Sequence, residues 1–525
     1  MGGSGININI PAVALLFTLV TLLACAPTSD GPSGGDAALP APSPQSSPAR
    51  GEEEPSASAE IRGRITLPGQ PNARDATIEV AQIPEAVIAE TVAEGLEVPW
   101  ELAFTPDGRI LVTERPGRIR VIQDGALQEE PFATLEQVVN ISESGLMGVA
   151  LHPDFASNGH LFVCYTYRNE SGDLRNRVAR LTDVNGVGAD HQVILDDIPG
   201  DSRHDGCRLG FGPDGKLYVT MGDATESEAA QDLDSLLGKV LRLEAAGSVP
   251  SDNPFPGSYV YTYGHRNPQG MDWHPETNDL FITEHGPADD DEINILEPGG
   301  NYGWPEVTRE AQDPRFIDPI LTFTRTIAPS GAAFYSGDQL AASWDGNFIS
   351  AALRDTHLQR VALEPPEFRT VRSNERLFEG EFGRLRAVAL SPDGFLYFTT
   401  SNRDGRGTPL PGDDKVLRLV PDRAEPPARF HPNANGDFSL ELEPGTYRIR
   451  WEADGLRAVE RRIVVTEGES LDLGEIALTP GPSPAGRGEI PHPLGRLRIS
   501  PTFPLSRARQ ACPYVAPSPS GRGLG

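Results

Sequence analysis

The sequence predicts an all-β protein built around a six-bladed β-propeller. A unit of apolar strand, tight turn and second apolar strand recurs six times, and successive turns lie 47, 60, 62, 62 and 55 residues apart. Units of this size are too short for βαβ folding and show no helical periodicity. The chain also contains 55 Gly and 49 Pro among 525 residues, which suits many short strands. A β-sandwich with unrelated hairpins is the alternative interpretation.

Each unit has a physical reason for its turn. Pro presets φ, while Asp and Gly accept the turn and the left-handed position. The runs beside each turn are rich in Val, Ile, Leu, Phe and Tyr, as strands require. The propeller is predicted over residues 86–424, and its six units are Leu102–Glu114, Val149–Tyr165, Leu209–Asp223, Met271–Gly286, the degenerate Ala332–Leu353, and Val388–Asn402.

Two short strand patterns flank the repeats. Residues 60–85 contain two strands around a Gly-Gln-Pro turn, and residues 425–480 alternate with period two between turns at Pro444-Gly445 and Asp454-Gly455. Together they resemble the two parts of a carboxypeptidase-regulatory-like β-sandwich, into which the propeller would be inserted. Two independent extensions are the alternative.

The chain ends suggest export. Ile10–Cys25 is apolar but shorter than the roughly 20 residues that span a bilayer, which is typical of a signal peptide. Its last residues, Leu22-Leu23-Ala24-Cys25, resemble a bacterial lipobox, so residues 1–25 are predicted to be a lipoprotein-type signal peptide with Cys25 acylated. A plain secretory signal is the alternative, and the usual Lys or Arg is missing before Ile10. The location is therefore predicted to be extracytoplasmic, in the periplasm or on the cell surface.

Two segments are predicted to be disordered. Residues 26–59 contain Pro, Ser, Gly and Glu with little to bury, as in a flexible tether. Residues 481–525 are similar in composition and carry six Arg and one Glu. This tail is either a basic interaction segment or sequence without function.

The composition excludes several classes of protein. With 45 basic and 75 acidic residues the formal net charge is −30, which argues against a nucleic-acid binder. Four scattered cysteines argue against a disulfide scaffold or a thiolate metal site.

Chemistry-bearing residues follow the strand ends, where propeller loops converge on the central channel. His204 leads into the third unit and Asp223 ends it, so the carboxylate could orient the histidine as a general base; a turn histidine is the alternative. In the segment Gly264–Gly270, Arg266 offers a rigid donor fork for carboxylates and Asn267 supplies both a donor and an acceptor; a polar loop before a strand is the alternative. The acidic loop Glu284–Glu292 offers oxygen ligands of the kind that Ca²⁺ prefers, although a solvated loop is equally compatible.

Three further arginines favour an anionic ligand. They are Arg354, Arg384 and Arg386, of which the last two precede a strand; we expect both to face the channel only if the strand begins after them. Several arginines beside a calcium loop indicate a small polyanion.

An ordered set of motifs resembles the soluble quinoprotein glucose/sorbosone dehydrogenases, which use pyrroloquinoline quinone (PQQ), and in particular the aldose sugar dehydrogenases. The motifs are VPWELAFTPDGRILVTERPGRIRV, GLMGVALHPDF, HDGCRLGFGPDGKLYVTMGD, LLGKVLRL, YGHRNPQGMDWHP and EHGPADDDEINILEPGGNYGWP, within residues 86–424. The resemblance implies a six-bladed propeller that oxidises an aldose at its anomeric carbon to the lactone.

The resemblance also implies roles for residues. His204 would take the proton from the anomeric hydroxyl while hydride passes to PQQ, and Asp223 would support it. Arg266 and Asn267 would contact PQQ near its reacting carbonyl. Glu143 takes a pocket position that is Gln in some members of the family.

The remaining implied residues hold the cofactors. Arg354, Arg384 and Arg386 match the positions that bind the PQQ carboxylates. The backbone carbonyls of Gly286 and Pro287 would hold the catalytic Ca²⁺, with Asp291 as a supporting carboxylate. Glu292 and Tyr302 match a second, structural calcium site. Cys207 replaces a usual glycine, which implies a tighter and thiol-sensitive pocket.

The predicted partners are an aldose and an external electron acceptor such as a quinone, a cytochrome or a dye, with membrane contact only through the lipid anchor. Two other functions stay open. One is a non-catalytic propeller that binds carbohydrate or protein, and the other is a calcium-dependent propeller lactonase. The arginine set distinguishes the dehydrogenase from the lactonase, because a lactonase has no use for several arginines around a tricarboxylate.

Overall fold

The computed structural model describes residues 58–69, 72–422 and 425–480. The predicted signal peptide with Cys25, nearly all of the predicted tether and the predicted C-terminal tail lie outside these residues. The described chain is almost entirely β, as predicted. Its helices are limited to α1 (Phe155–Asn158) and to the 3₁₀ turns Ser227–Ala230 and Ala342–Trp344. None of the helices in the described ranges is long and apolar enough to cross a membrane.

The chain begins with three strands that pair with distant partners. They are β1 (Ala59–Thr66), β2 (Thr77–Ile83) and β3 (Val87–Ala93). Between β3 and residue 421, the described chain forms six consecutive antiparallel sheets, numbered here as sheets 1 to 6.

Sheets 1 to 3 contain the first three repeat units. Sheet 1 has β4 (Pro99–Phe104), β5 (Ile110–Glu114), β6 (Arg118–Gln123), β7 (Ala126–Leu127) and β8 (Ala133–Thr134). Sheet 2 has β9 (Leu146–Leu151), β10 (His160–Arg168), β11 (Leu174–Val184) and β12 (Val187–Pro199). Sheet 3 has β13 (Gly206–Phe211), β14 (Leu217–Met221), β15 (Lys239–Leu243) and β16 (Val260–Tyr263).

Sheets 4 to 6 contain the other three. Sheet 4 has β17 (Pro268–Trp273), β18 (Leu280–Glu284), β19 (Asp291–Leu296) and β20 (Leu321–Phe323). Sheet 5 has β21 (Pro329–Phe334), β22 (Phe348–Ala352), β23 (Leu358–Leu363) and β24 (Val371–Leu377). Sheet 6 has β25 (Leu385–Leu390), β26 (Leu396–Thr400) and β27 (Val416–Pro421), with β3 as its fourth strand.

The six sheets form a closed ring. The first strand of each sheet packs against the first strand of the next, and β25 of sheet 6 packs against β4 of sheet 1. The ring is tied shut because β27 pairs antiparallel with β3, from Val416 opposite Ala93 to Pro421 opposite Val87. Every repeat turn predicted from the sequence lies between the first and second strands of its sheet. Apolar clusters fill the spaces between neighbouring sheets.

The flanking segments fold onto each other. After the ring come β28 (Ala428–Phe430), β29 (Asp437–Leu442), β30 (Gly445–Glu452), β31 (Leu456–Arg457), β32 (Val459–Val465), β33 (Leu471–Ala477) and β34 (Thr479–Pro480). Strand β1 lies between β29 and β33, whereas β2 lies between β28 and β30. One buried cluster with Ile61, Ile78 and Trp451 at its centre joins the two sheets. This flanking unit is therefore built from two segments of the sequence, one before the ring and one after it.

Candidate active site

One edge of the ring surrounds a cavity of about 370 Å³. Its walls come from the loops that lead into the first strands, from the beginnings of some of these strands, and from the loops that leave the second strands. In an antiparallel hairpin these two loops lie at the same edge, which explains why residues far apart in sequence meet here. Of the residues predicted from the sequence, those that line the cavity are Glu143, His204, Arg266, Gly286, Pro287, Arg354, Arg384 and Arg386.

His204 lies in the wall and is hydrogen-bonded to Asp223, which is buried behind it. His204 Nδ1 lies 2.8 Å from Asp223 Oδ1, and the carboxylate is almost fully buried while the imidazole keeps a small exposed face. A carboxylate only accepts hydrogen bonds, so the contact places the imidazole proton on Nδ1. Nε2 is then left as an acceptor, as a general base requires.

The backbone around this pair is tightly constrained. His204 has a φ of 59°, in the left-handed region, and its carbonyl accepts a hydrogen bond from Ala224 N. A Cβ at position 222 would lie 1.9 Å from the His204 carbonyl oxygen, so only glycine fits there. Gly222 therefore allows the loop of His204 to lie directly against the loop of Asp223.

Glu143 faces the pair from the neighbouring loop. One oxygen accepts a hydrogen bond from His204 N at 3.2 Å, and the other lies 2.7 Å from the Arg406 guanidinium. Burial opposes the charge, but Arg406 and the His204 N–H outweigh burial and hold the pKa of the Glu143 carboxyl below its ordinary value. Glu143 is thus an ionised acceptor at the cavity wall.

The cavity wall is strongly cationic. Seven arginines line it against two carboxylates, so guanidinium groups exceed carboxylates by five; the arginines are Arg115, Arg203, Arg266, Arg354, Arg384, Arg386 and Arg406. Arg386 is 4% exposed, and the hydrogen bonds from its side chain to Ser401 and Gln269 are long, at 3.3 Å each. Burial lowers its pKa to about 10 against the attraction of Asp404. Such an undercompensated buried cation favours an anionic ligand.

Arg384 and Arg386 both face the cavity although β25 begins at Leu385. The expectation that both would face the cavity only if the strand began after them was wrong, because residues i and i+2 of a strand share a face. The pairing of β25 with β26 also shifts between Leu385 and Val388, which turns this part of the strand toward the cavity. Arg384 is held by Asp404 at 2.7 Å and by the Leu353 carbonyl at 2.9 Å.

Asn267 lies behind the cavity wall rather than in it. Its side chain is fully buried, and its Oδ1 accepts a hydrogen bond from Gln269 at 3.2 Å. Its carbonyl accepts a hydrogen bond from His285 N. Asn267 therefore supports Gln269 and His285, which line the cavity.

Several cavity residues were missed in the sequence. Arg115 follows β5, whereas Asp404 and Arg406 follow β26, so all three obey the same strand-end rule that selected His204 and Arg354. His285 was part of a quoted motif but received no role. The same rule, applied to sheets 1 and 6, predicts Arg115, Asp404 and Arg406.

The loop after β18 is organised by Asp291. This buried carboxylate accepts hydrogen bonds from Gly286 N at 2.9 Å and, at 2.7 Å each, from the Thr326 hydroxyl, Ile327 N and Ala328 N. A Cβ at Gly286 would lie 2.3 Å from the carbonyl oxygens of Asp289 and Asp290. The loop thus gathers backbone oxygens, while the Asp291 carboxylate is occupied in shaping it.

A second, smaller cavity of about 20 Å³ adjoins this loop and is lined by Glu284, Glu292 and Tyr302 among others. Burial, together with the neighbouring Glu284, raises the pKa of Glu292 to about 8. The Tyr302 hydroxyl donates to the Ile295 carbonyl at 2.7 Å. Within the ranges that the structure describes, no cluster of three or more His, Cys, Asp or Glu side chains is arranged to hold a metal.

The structure corrects the expectation for Cys207. This residue is fully buried and forms a disulfide with Cys164, so it has no free thiol. Its side chain belongs to the apolar cluster between sheets 2 and 3, with Trp100 and Phe162, and does not line the cavity. The substitution of glycine by cysteine therefore links two sheets instead of narrowing the pocket.

Comparison with known proteins agrees with this geometry. Residues 96–411 match the family described as glucose/sorbosone dehydrogenase. The chain belongs to this family. It is accordingly an oxidoreductase of the sugar dehydrogenase type, as the motifs predict.

Three relatives illustrate the match. The aldose sugar dehydrogenase of Escherichia coli K12 is 32% identical over 345 residues, covering 61% of this chain and 92% of the relative. The structure of a glucose dehydrogenase-type oxidoreductase from Thermus thermophilus is 47% identical, with a TM-score of 0.59, and covers 64% of this chain and all of that one. The PQQ-bound aldose sugar dehydrogenase of Streptomyces coelicolor is 34% identical, with a TM-score of 0.58, and covers 65% and 100%.

Proposed function

We propose that this sugar dehydrogenase uses PQQ and Ca²⁺ to oxidise an aldose at its anomeric carbon to the lactone, and that it passes the electrons to an external acceptor. The observation that carries the proposal is the cavity, which combines a His204–Asp223 pair with seven arginines. The His204–Asp223 pair provides a base, and the arginines favour a polyanionic ligand.

The wall fits PQQ, a planar tricarboxylate, in charge and in donor type. Arg354 is exposed at the rim, whereas Arg384 and Arg386 lie deeper, so three guanidinium groups are available to the carboxylates. Arg266 faces the same space and would lie near the reacting carbonyl, with Asn267 behind it. PQQ, when bound, would accept the hydride from the sugar.

The protein's own groups would move the proton. His204 Nε2 would take it from the anomeric hydroxyl, because the contact from Nδ1 to Asp223 leaves Nε2 free to accept. Asp223 would fix the tautomer and stabilise the imidazolium. Glu143 would accept a hydrogen bond from another sugar hydroxyl.

Calcium would be held by the loop that Asp291 shapes. Gly286 and Pro287 line the cavity, and their carbonyl oxygens would suit this hard cation, with Asp291 in support. Glu292 and Tyr302, at the second cavity, would serve a structural calcium site. Oxygen ligands from backbone carbonyls are compatible with the lack of a side-chain cluster in the described ranges.

A lactonase is less well supported, since calcium and carboxylates would suffice for it and the arginines would have no purpose. A purely binding propeller would not need the oriented His204. No observation favours either function over the dehydrogenase.

We also propose the domain organisation. The six sheets in residues 86–424 would be the blades of a six-bladed propeller, and residues 60–85 with 425–480 would form one β-sandwich into which it is inserted. The shared cluster around Trp451 supports the second point. Residues 1–25 would be a signal peptide acylated at Cys25, and residues 481–525 would be a tail, in an extracytoplasmic protein. The tether would run from residue 26 to residue 58 instead of 59, because Ala59 is the first residue of β1.

The test mixes purified apoprotein with PQQ and Ca²⁺ and follows dye reduction with a panel of aldoses. We expect turnover of at least one sugar and lactone as the product. Arg386→Ala should weaken PQQ binding at least about tenfold, because a hydrogen bond to a charged group contributes about 1.5–3 kcal/mol. Arg418→Ala, which removes an arginine paired with Glu90 on the outside of sheet 6, is the matched control. Wild-type protein that neither binds PQQ nor oxidises any aldose would contradict the proposal.

A further inference from the structure

Asp223 has a second partner that the sequence did not suggest. The indole Nε1–H of Trp304 donates to Asp223 Oδ2 at 2.9 Å, while Oδ1 lies 2.8 Å from His204 Nδ1 and accepts the backbone N–H of Thr225 at 2.9 Å. The carboxylate is 1% exposed. Among the described contacts, Trp304 is the one donor to Oδ2.

This arrangement fixes the plane of the carboxylate. With donors at both oxygens, rotation about the Cβ–Cγ bond would break hydrogen bonds at each end. Without the indole N–H, Oδ2 would be a buried charged oxygen lacking a donor, which costs free energy unless the group rotates. Rotation would change the direction from which Oδ1 accepts the hydrogen bond of His204 Nδ1, and hence the direction in which Nε2 points.

Trp304 is itself held in place from several sides. Its backbone N–H donates to the Gly264 carbonyl at 2.9 Å, and its own carbonyl accepts a hydrogen bond from the Gln231 side chain at 2.7 Å. The Arg266 guanidinium lies over the indole ring, 5.4 Å from the ring centroid. Since Arg266 lines the main cavity, the indole contacts two parts of the site at once.

We propose that Trp304 is a positioning residue for sugar oxidation, which holds Asp223, and through it His204, in the orientation that turns Nε2 toward the cavity. The inference rests on the proposed dehydrogenase function. It assigns to Trp304 no contact with sugar or cofactor.

The test is Trp304→Phe, which keeps the aromatic ring and removes the donor. In the holoenzyme we expect kcat to fall at least about tenfold, as the loss of a hydrogen bond to a charged group predicts. KM and PQQ affinity should stay within about twofold. Trp344→Phe is the matched control, because the Trp344 indole N–H is buried without an acceptor, so kcat should not change.

A double-mutant cycle separates positioning from a merely structural role. If Trp304 acts through Asp223, the variant that combines Trp304→Phe with Asp223→Asn should be no slower than Asp223→Asn alone. Additive losses, or full kcat in Trp304→Phe, overturn the proposal while the wild type still oxidises sugar. A wild type without any turnover overturns the proposed function instead.

A second measurement applies if Trp304→Phe does not fold. The chain has five tryptophans, so ¹⁵N-tryptophan labelling gives few indole resonances. In the folded Asp223→Asn variant the Trp304 indole resonance should shift strongly and the Trp344 resonance should not. An unchanged Trp304 resonance overturns the proposal.

Discussion

The disulfide between Cys164 and Cys207 should contribute strongly to stability. It joins β10 of sheet 2 to β13 of sheet 3 across a sequence separation of 43 residues. In the chain-entropy description, closing a loop of this length removes conformational entropy from the unfolded state and so raises its free energy by about 4 kcal/mol. Both cysteines are fully buried, so replacing them also leaves a small void among Trp100, Phe162 and Leu209.

The perturbation is the double replacement Cys164→Ala with Cys207→Ala, compared with wild-type apoprotein by urea unfolding. We expect the free energy of unfolding to fall by about 4–5 kcal/mol, a large part of the 5–15 kcal/mol typical of proteins. Dithiothreitol should lower the free energy of unfolding of the wild type but not that of the double variant. A loss below about 1 kcal/mol, or two reactive thiols at these positions in oxidised protein, would refute the reasoning.

Three further predictions concern other sites. His204→Ala should retain PQQ binding and lose most turnover, as measured by PQQ titration beside dye reduction; an active variant would disprove the role of the base. Trp451→Ala should cost about 3–5 kcal/mol in urea unfolding, because its fully buried indole joins the two flanking sheets; a loss below about 1 kcal/mol would contradict the importance of that cluster. Burial raises the pKa of Asp205 to about 7, above its value in the unfolded chain, so the folded state binds the extra proton and the free energy of unfolding should fall as pH rises from about 4 to 7. Asp205→Asn should flatten this dependence in urea unfolding between pH 4 and 8, and an unchanged slope would show that Asp205 does not carry it.

The sequence predicts only part of the arrangement of strands. The first hairpin of each sheet has a Pro-Asp-Gly-like turn between two apolar strands, so the repeats located Pro106, Pro213 and Pro392 correctly. Third and fourth strands such as β24, which is mostly exposed, have no comparable signal. The pairing of β3 with β27 was also hidden, because it joins residues more than 300 positions apart.

The candidate site could be predicted wherever a residue adjoined a repeat. His204, Arg266, Arg354 and Arg384 were found in this way, and the structure brings them to one cavity. Trp304 lies 81 positions from Asp223, and two cysteines 43 positions apart do not indicate a bond. Contacts of this kind depend on how the sheets pack, which no local pattern records.

The pairing of β3 with β27 has a consequence for biosynthesis. Val87 pairs with Pro421, and Ile61 pairs with Leu440 and Leu471. The strands synthesised first therefore cannot pair until some of the last strands have been synthesised. Contacts so distant in sequence make folding slow, since a long loop must close before they form. Most of the chain would therefore leave the ribosome before β27 could pair with β3 and close the ring.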